Sequence, residues 1–137
     1  MATWLMKSEP ETWSWDDQVR KGTEPWNGVR NHQAANNMRA MKTGDRAFFY
    51  HSGEERRIVG IVAIVRPFYP DPSDETGKFG MVDVRTIGPV PTPVTLAAVK
   101  ADGRFADFLL VRNSRLSVMP VSPAHWKLLC RMGGVKA

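Results

Sequence analysis

Five tryptophans occur in 137 residues, and Trp4, Trp13, Trp15 and Trp26 all fall within the first 26. An indole is well suited to stack on a flat guest, which contributes on the order of 1–3 kcal/mol per nucleic-acid base. Position separates the five. Trp4 alternates with Met6 in a strand-like run and Trp126 sits on a helix face with Leu129 and Cys130, so both are expected in the core. Trp26 lies in Pro25-Trp26-Asn27-Gly28, a turn sequence that offers an aromatic ring few packing neighbours. It is the first candidate for a stacking plate, against the competing reading of a lid folded back on the core. Beyond it, Gly28-Val29-Arg30-Asn31 leads into a helix start, where free N–H groups favour anions and Arg30 can pair with a phosphate. Asn31 has two claims on it. It can cap that helix, or its two donors and one acceptor can read the edge of an unstacked base.

Phe48-Phe49-Tyr50-His51-Ser52 alternates faces and ends on a polar pair, placing His51 and Ser52 at a strand end. Lys7 and Glu9 flank Ser8 at the end of the first strand, on one face by alternation. Catalysis through any of these would require a nucleophile, a base and an orienting acid, yet no G-x-S-x-G, H-x-E, P-loop or G-x-G-x-x-G occurs. No catalytic residue and no cofactor are assigned. His32, His51 and His125 are scattered, and Cys130, the only cysteine, falls mid-helix as a core thiol. No metal site is expected.

The elements that must position these residues follow from period and punctuation. Thr3 to Lys7 reads as a strand, Ser14 starts a helix ending near Gly22, and Asn31 starts another running through Met41 and closed by Gly44. Arg46 to Ser52 and Arg57 to Pro67 form a hairpin across Gly53-Glu54-Glu55. Ile58 to Val65 is apolar in both alternating sets except at Gly60, so this strand must be covered on two sides. Met81 to Ile87 and Arg115 to Val121 are further strands, and Val94 to Ala101 is a short helix or turn. Ser122, Pro123 and Gly133-Gly134 frame a last helix over Ala124 to Met132. Length, the absence of repeats and a hydrophobic fraction of 42% give a single domain over 1–137. No run reaches the roughly 18 apolar residues of a membrane span, and the first residues lack the basic start and apolar stretch of a secretory signal, which points to the cytoplasm.

The formal charge of +5 is unevenly spread. Residues 1–29 carry three basic and five acidic groups, 30–68 seven and three, 69–83 one and four, and 84–137 eight and two. Segregation of this kind favours basic faces that meet phosphates by releasing counterions, the alternative being an ordinary solvated surface. Arg30, Arg56, Arg57 and Arg115 are the basic residues nearest the candidate groups.

The peptides WLMKSEPETWSWDD, PWNGVRNHQAANNMRAMKTGD, FFYHSGEERRIVGIVAIV, YPDP and RLSVMPV, in that order, resemble the EVE domain over essentially the whole chain. The resemblance implies an α+β fold of PUA-like type, a twisted mixed β-barrel flanked by short helices and related to the YTH and ASCH domains. It also implies nucleic acid, DNA or RNA, as the partner, with a modified base, foremost a modified cytosine in DNA, held in an aromatic-walled pocket. Carried over by motif, KSEP supplies Lys7, Ser8 and Glu9, and WNGVRN supplies Trp26, Gly28 and Asn31, beside Arg30. FYHS supplies His51 and Ser52, YPDP supplies Tyr69 as a second wall, and RLSVMP supplies Arg115, Ser117 and Met119. Two rivals stand beside this reading: a small amidohydrolase of the ASCH type built on Lys7 and Glu9, and a module whose pocket takes a peptide or metabolite.

Overall fold

The computed structural model describes residues 1–136. Six strands and five α-helices follow one another as β1 (Thr3–Ser8), α1 (Trp15–Lys21), β2 (Thr23–Pro25), α2 (His32–Arg39), β3 (Arg46–His51), β4 (Arg57–Pro70), β5 (Gly80–Thr95), α3 (Leu96–Lys100), α4 (Leu109–Arg112), β6 (Val118–Val121) and α5 (Pro123–Met132), with a 3₁₀ turn at Gly103–Phe105. The strands form one sheet in the order β2-β5-β4-β3-β1-β6. β1 and β3 run parallel and every other adjacent pair is antiparallel.

The mixed α+β class is as expected; closure of the sheet is not. Its order is linear, and among the described residues no ladder joins β2 to β6. The edge strands are three and four residues long, too short to add a closing row of hydrogen bonds. Curvature comes from irregular register, with one break between β3 and β4 and four between β4 and β5. The largest break carries the β4 partner from Gly60↔Pro89 to Ile58↔Val94 and leaves residues 90–93 unpaired with β4. Pro91 and Pro93 fall in that stretch, where the absence of a proline N–H does least harm. Thr92 donates its N–H to the Gly133 carbonyl at 3.0 Å, docking the end of α5 there.

The centre of β4 is covered on both sides, as its two apolar sets require: Ile58 to Ile64 are all buried. β3 shows what covers the sheet. Phe48 stacks on Trp126 of α5 with ring centroids 3.9 Å apart, while Phe49, facing the other way, meets Trp15 edge-on at 5.3 Å and Trp26 at 5.4 Å. Gly60 interrupts the apolar run for a steric reason. A Cβ there would lie 2.4 Å from the Trp15 ring, so the indole of α1 rests directly on the β4 backbone.

Local capping sets the helix starts. Ser14 and Asp17 form a reciprocal capping box on α1, Asn31 caps α2, and Ser122 caps α5 with Pro123 at the first helical position. Several boundaries differ from expectation, β4 among them, which runs on to Pro70. α2 stops at Arg39 with Ala40 as its cap, and Gly44, at φ +96°, instead turns the chain into β3 while its N–H donates to Ile64. β5 runs on to Thr95, which caps α3. The late strand begins at Val118, because residues 115–117 form a loop whose Ser117 carbonyl accepts from the Lys7 N–H at 2.8 Å. No helix of the described residues is long and apolar enough to cross a membrane.

Candidate functional site

A cavity of about 460 Å³ opens at the carboxyl end of β1, within the size range of small-molecule sites. One wall is Lys7-Ser8-Glu9 with Thr12 and Trp13; the other is the segment from Glu24 to Gly28. β1 delivers the first wall because its parallel pairing with β3 ends at Ser8↔His51. The chain then turns sharply, with the Thr12 and Trp13 N–H groups both donating to the Glu9 carbonyl and the Ser8 hydroxyl donating to the Trp13 carbonyl at 2.5 Å. This turn aims Trp13 into the cavity. Its indole N–H donates to Oε1 of Gln18 at 2.9 Å, and the fully buried Gln18 amide is anchored in turn to the Gly22 carbonyl at 3.1 Å.

The second wall hangs from the sheet edge. β2 pairs with β5 through Pro25↔Asp83, and the Trp26 N–H adds a bond to the Val82 carbonyl at 2.7 Å. Trp26 is more enclosed than its turn sequence suggests. Only 8% of it is exposed, and its ring packs nearly perpendicular to Phe49, yet it still borders the cavity. Gly28 follows at φ +81°, a left-handed conformation that only glycine adopts at little cost, although space around it is open. Its N–H donates to Oδ2 of Asp71 at 2.8 Å.

Asp71 is a buried carboxylate that ties the β4–β5 loop to this wall. Besides Gly28 it accepts from Arg30 at 3.2 Å, from the Ser73 N–H at 2.8 Å and from the Ser73 hydroxyl at 2.6 Å. Burial alone would raise its pKa; the Ser73 hydroxyl, the Gly28 and Ser73 N–H groups and Arg30 outweigh burial and hold it at about 2.

Lys7 is the cation of the cavity. Burial pulls its pKa below the ordinary lysine range, its ammonium donates to the Ser114 carbonyl at 3.0 Å, and it sits 5.8 Å over the Tyr50 ring. Burial likewise pushes the Tyr50 hydroxyl up to about 12, against the opposing pull of Arg56. Glu9 lies across the same wall and is exposed.

Of the expected residues, the structure brings Lys7, Ser8, Glu9, Trp26 and Gly28 to this one cavity. The others lie apart from its lining. Arg30 is engaged by Asp71 and Ser73, and the Asn31 side chain accepts from the Ala34 N–H at 2.9 Å, so its carbonyl is committed to the helix cap. His51 is buried beneath α1. Because the Trp15 N–H donates to its Nε2 at 2.9 Å, its proton sits on Nδ1 and donates to Glu55 at 2.9 Å. Ser52 borders a neighbouring hollow lined by Glu9, Glu11, Glu54 and Glu55. Tyr69 donates to Asp83 and lies under the Arg66 guanidinium, which is 3.6 Å from its ring. Arg115 is exposed, Ser117 braces β1 through its carbonyl, and Met119 is fully buried opposite Leu5 in the sheet. Trp13 is the residue that sequence reasoning passed over. The signal was present in the density of tryptophans before residue 27, and in its place between the first strand and the Ser14 cap.

The fold is that of a small PUA-like α+β domain. The chain belongs to the EVE domain family, which matches residues 2–132. It is 36% identical over 153 residues to human thymocyte nuclear protein 1, covering 87% of this chain and 68% of that protein. The rat protein of the same name is 37% identical, with 92% and 71% covered. Among solved structures, a protein from Rhodopseudomonas palustris superimposes with a TM-score of 0.92 at 59% identity, covering 98% of this chain and 94% of that one. Human THYN1 protein, solved in complex with DNA containing 5-methylcytosine, superimposes with a TM-score of 0.91 at 32% identity over the whole of both chains. An ASCH protein from Zymomonas mobilis, at 11% identity and a TM-score of 0.59, shares the fold.

Proposed function

We propose that this protein binds nucleic acid by taking one modified base, foremost a modified cytosine in DNA, into the cavity lined by Trp13 and Trp26, and that it holds the base without transforming it. The observation that carries this reading is the pairing of two tryptophans with one cation, Lys7, and two carboxylates, Glu9 and Glu24, in a single strand-end cavity. The complex of the human relative with 5-methylcytosine DNA supports it. A base leaves the duplex stack to enter, and stacking on an indole returns on the order of 1–3 kcal/mol of the unstacking cost. Lys7 offers only donors and Glu9 only acceptors, a set that matches the ring carbonyl and exocyclic amine of cytosine. A methyl group filling dry space adds roughly 1 kcal/mol, which gives preference and not absolute discrimination.

Fluorescence anisotropy with oligonucleotides carrying one 5-methylcytosine or one cytosine, at two salt concentrations, tests the reading. Trp26→Ala and Trp13→Ala are each expected to weaken binding of the methylated strand by about tenfold or more, from the loss of one stacking wall. Equal binding by wild type and both variants removes the cavity from the mechanism. Sustained product release from acylated or methylated nucleosides, abolished by Lys7→Ala, would replace the binding reading with the amidohydrolase one.

A further inference from the structure

The exposed face of α2 repeats at helical spacing: His32, Asn36 and Arg39 stand at i, i+4 and i+7. Arg39 is fixed in place. It donates to Oδ1 of Asn36 at 2.8 Å and to the Lys78 carbonyl at 3.0 Å, and its guanidinium lies 4.7 Å over the Phe68 ring. Arg30 lies 5.7 Å over the Phe79 ring, and the His32 ring packs on that same phenylalanine at 4.9 Å. Phe68 lies hard against the backbone next to Phe79, since a Cβ on Gly80 would be 2.5 Å from its ring. A ridge of Arg30, His32, Arg39 and Lys78 therefore stands on two aromatic supports.

Arg30 is paired with Asp71 at 3.2 Å, whereas the charges of Arg39 and Lys78 are not cancelled locally. Among the described residues no carboxylate comes within 4.0 Å of the Arg39 or Lys78 charged nitrogens. Asp71 is buried under Arg30, and Asp74 turns inward to accept from Thr76 and from the Phe79 N–H, leaving Glu75 as the exposed carboxylate of the 71–79 loop. The other side of the cavity is the reverse: Arg57 is held by Glu55 at 3.0 Å, and four glutamates line the neighbouring hollow. Phosphates are repelled there. The ridge also starts at the cavity wall, since Gly28 and Arg30 donate to the same Asp71 oxygen.

We infer that this ridge carries the phosphate backbone of the strand whose base occupies the cavity, an inference that rests on the nucleic-acid reading above. His32 to Arg39 spans about 10 Å at 1.5 Å per residue. That is about three nucleotide steps at 3.4 Å of axial rise. Guanidiniums already seated on aromatic faces lose little side-chain freedom when a phosphate arrives, and contacts of this kind carry no base information.

The test is the salt dependence of binding to duplex and single-stranded oligonucleotides with and without one 5-methylcytosine. Arg39→Gln/Lys78→Gln is expected to weaken methylated and unmethylated strands by the same factor and to flatten the slope of log K against log salt by about 1.8 for duplex or about 1.4 for single strands. Arg112→Gln/Arg131→Gln, on α4 and α5, is the control and should leave the slope unchanged. Circular dichroism verifies that all variants are folded. An unchanged slope in Arg39→Gln/Lys78→Gln, or an equal loss in the control, overturns the inference. The cavity reading fails separately: a wild type blind to methylation whose slope still falls in the ridge variant keeps the ridge and loses the pocket, and a Trp26→Ala variant that loses methyl preference at an unchanged slope keeps both.

Discussion

The Trp15 indole lies flat enough on β4 to exclude any side chain at position 60. Gly60→Ala places a methyl 2.4 Å from that ring and must push α1 outward, so a loss of about 1–3 kcal/mol is expected in urea unfolding. An unchanged midpoint would mean that α1 shifts freely, contrary to its packing on Phe49. The sequence showed Gly60 as a break in an apolar strand and Trp26 as a ring near a turn, because both signals are local. It did not show which ring fills the break, nor that Trp13 faces the cavity. Trp13 is aimed by a turn closing on the Glu9 carbonyl and by a buried amide at Gln18, and neither partner is marked by its residue type. The placement of His51 and Met119 apart from the cavity lining has the same origin. His51 and Met119 sit in family motifs near the site, yet what each side chain does is decided by the element packed above it.

Besides the Trp15 ring, one imidazole ties the backbone of helix α1 to the sheet at its first turn. The Trp15 N–H is an orphan donor of a helix start, and His51 supplies the acceptor from the end of β3. His51→Ala leaves that buried donor unpaired, with an expected cost of about 1–3 kcal/mol in chemical denaturation. Retention of full stability would show that water replaces the ring. Ser14, Asn31 and Ser122 were legible as helix starts since a cap and its target are three residues apart. Strand limits were less legible. β5 continues through Pro91 and Pro93 because its ladder with β4 lapses over residues 90–93 and the end of α5 supplies another partner, a long-range compensation that no window of sequence contains.

At the scale of the whole molecule, Asp71 joins the β4–β5 loop to the cavity wall as an ion. Its pKa is depressed from the usual carboxylate value to about 2, so its stabilisation is complete above about pH 4 and is lost as pH falls through 2. Thermal unfolding of the wild type is expected to show a falling melting temperature across that interval, and Asp71→Asn, less stable at neutral pH, a shallower fall. Parallel acid limbs in the two proteins would assign the loss to other carboxylates.

The cavity draws its walls from residues 7–13 and 24–28, and its brace from residue 71. Segments so far apart along the chain meet only after the sheet is complete, which leaves a denatured chain with no fragment able to greet a guest. Occupancy must then be felt by every part of the protein at once. At a hundredfold excess over Kd, a short methylated oligonucleotide should deepen the native well by about 2.7 kcal/mol and raise the melting temperature by several degrees, with amide exchange slowing as far away as α5.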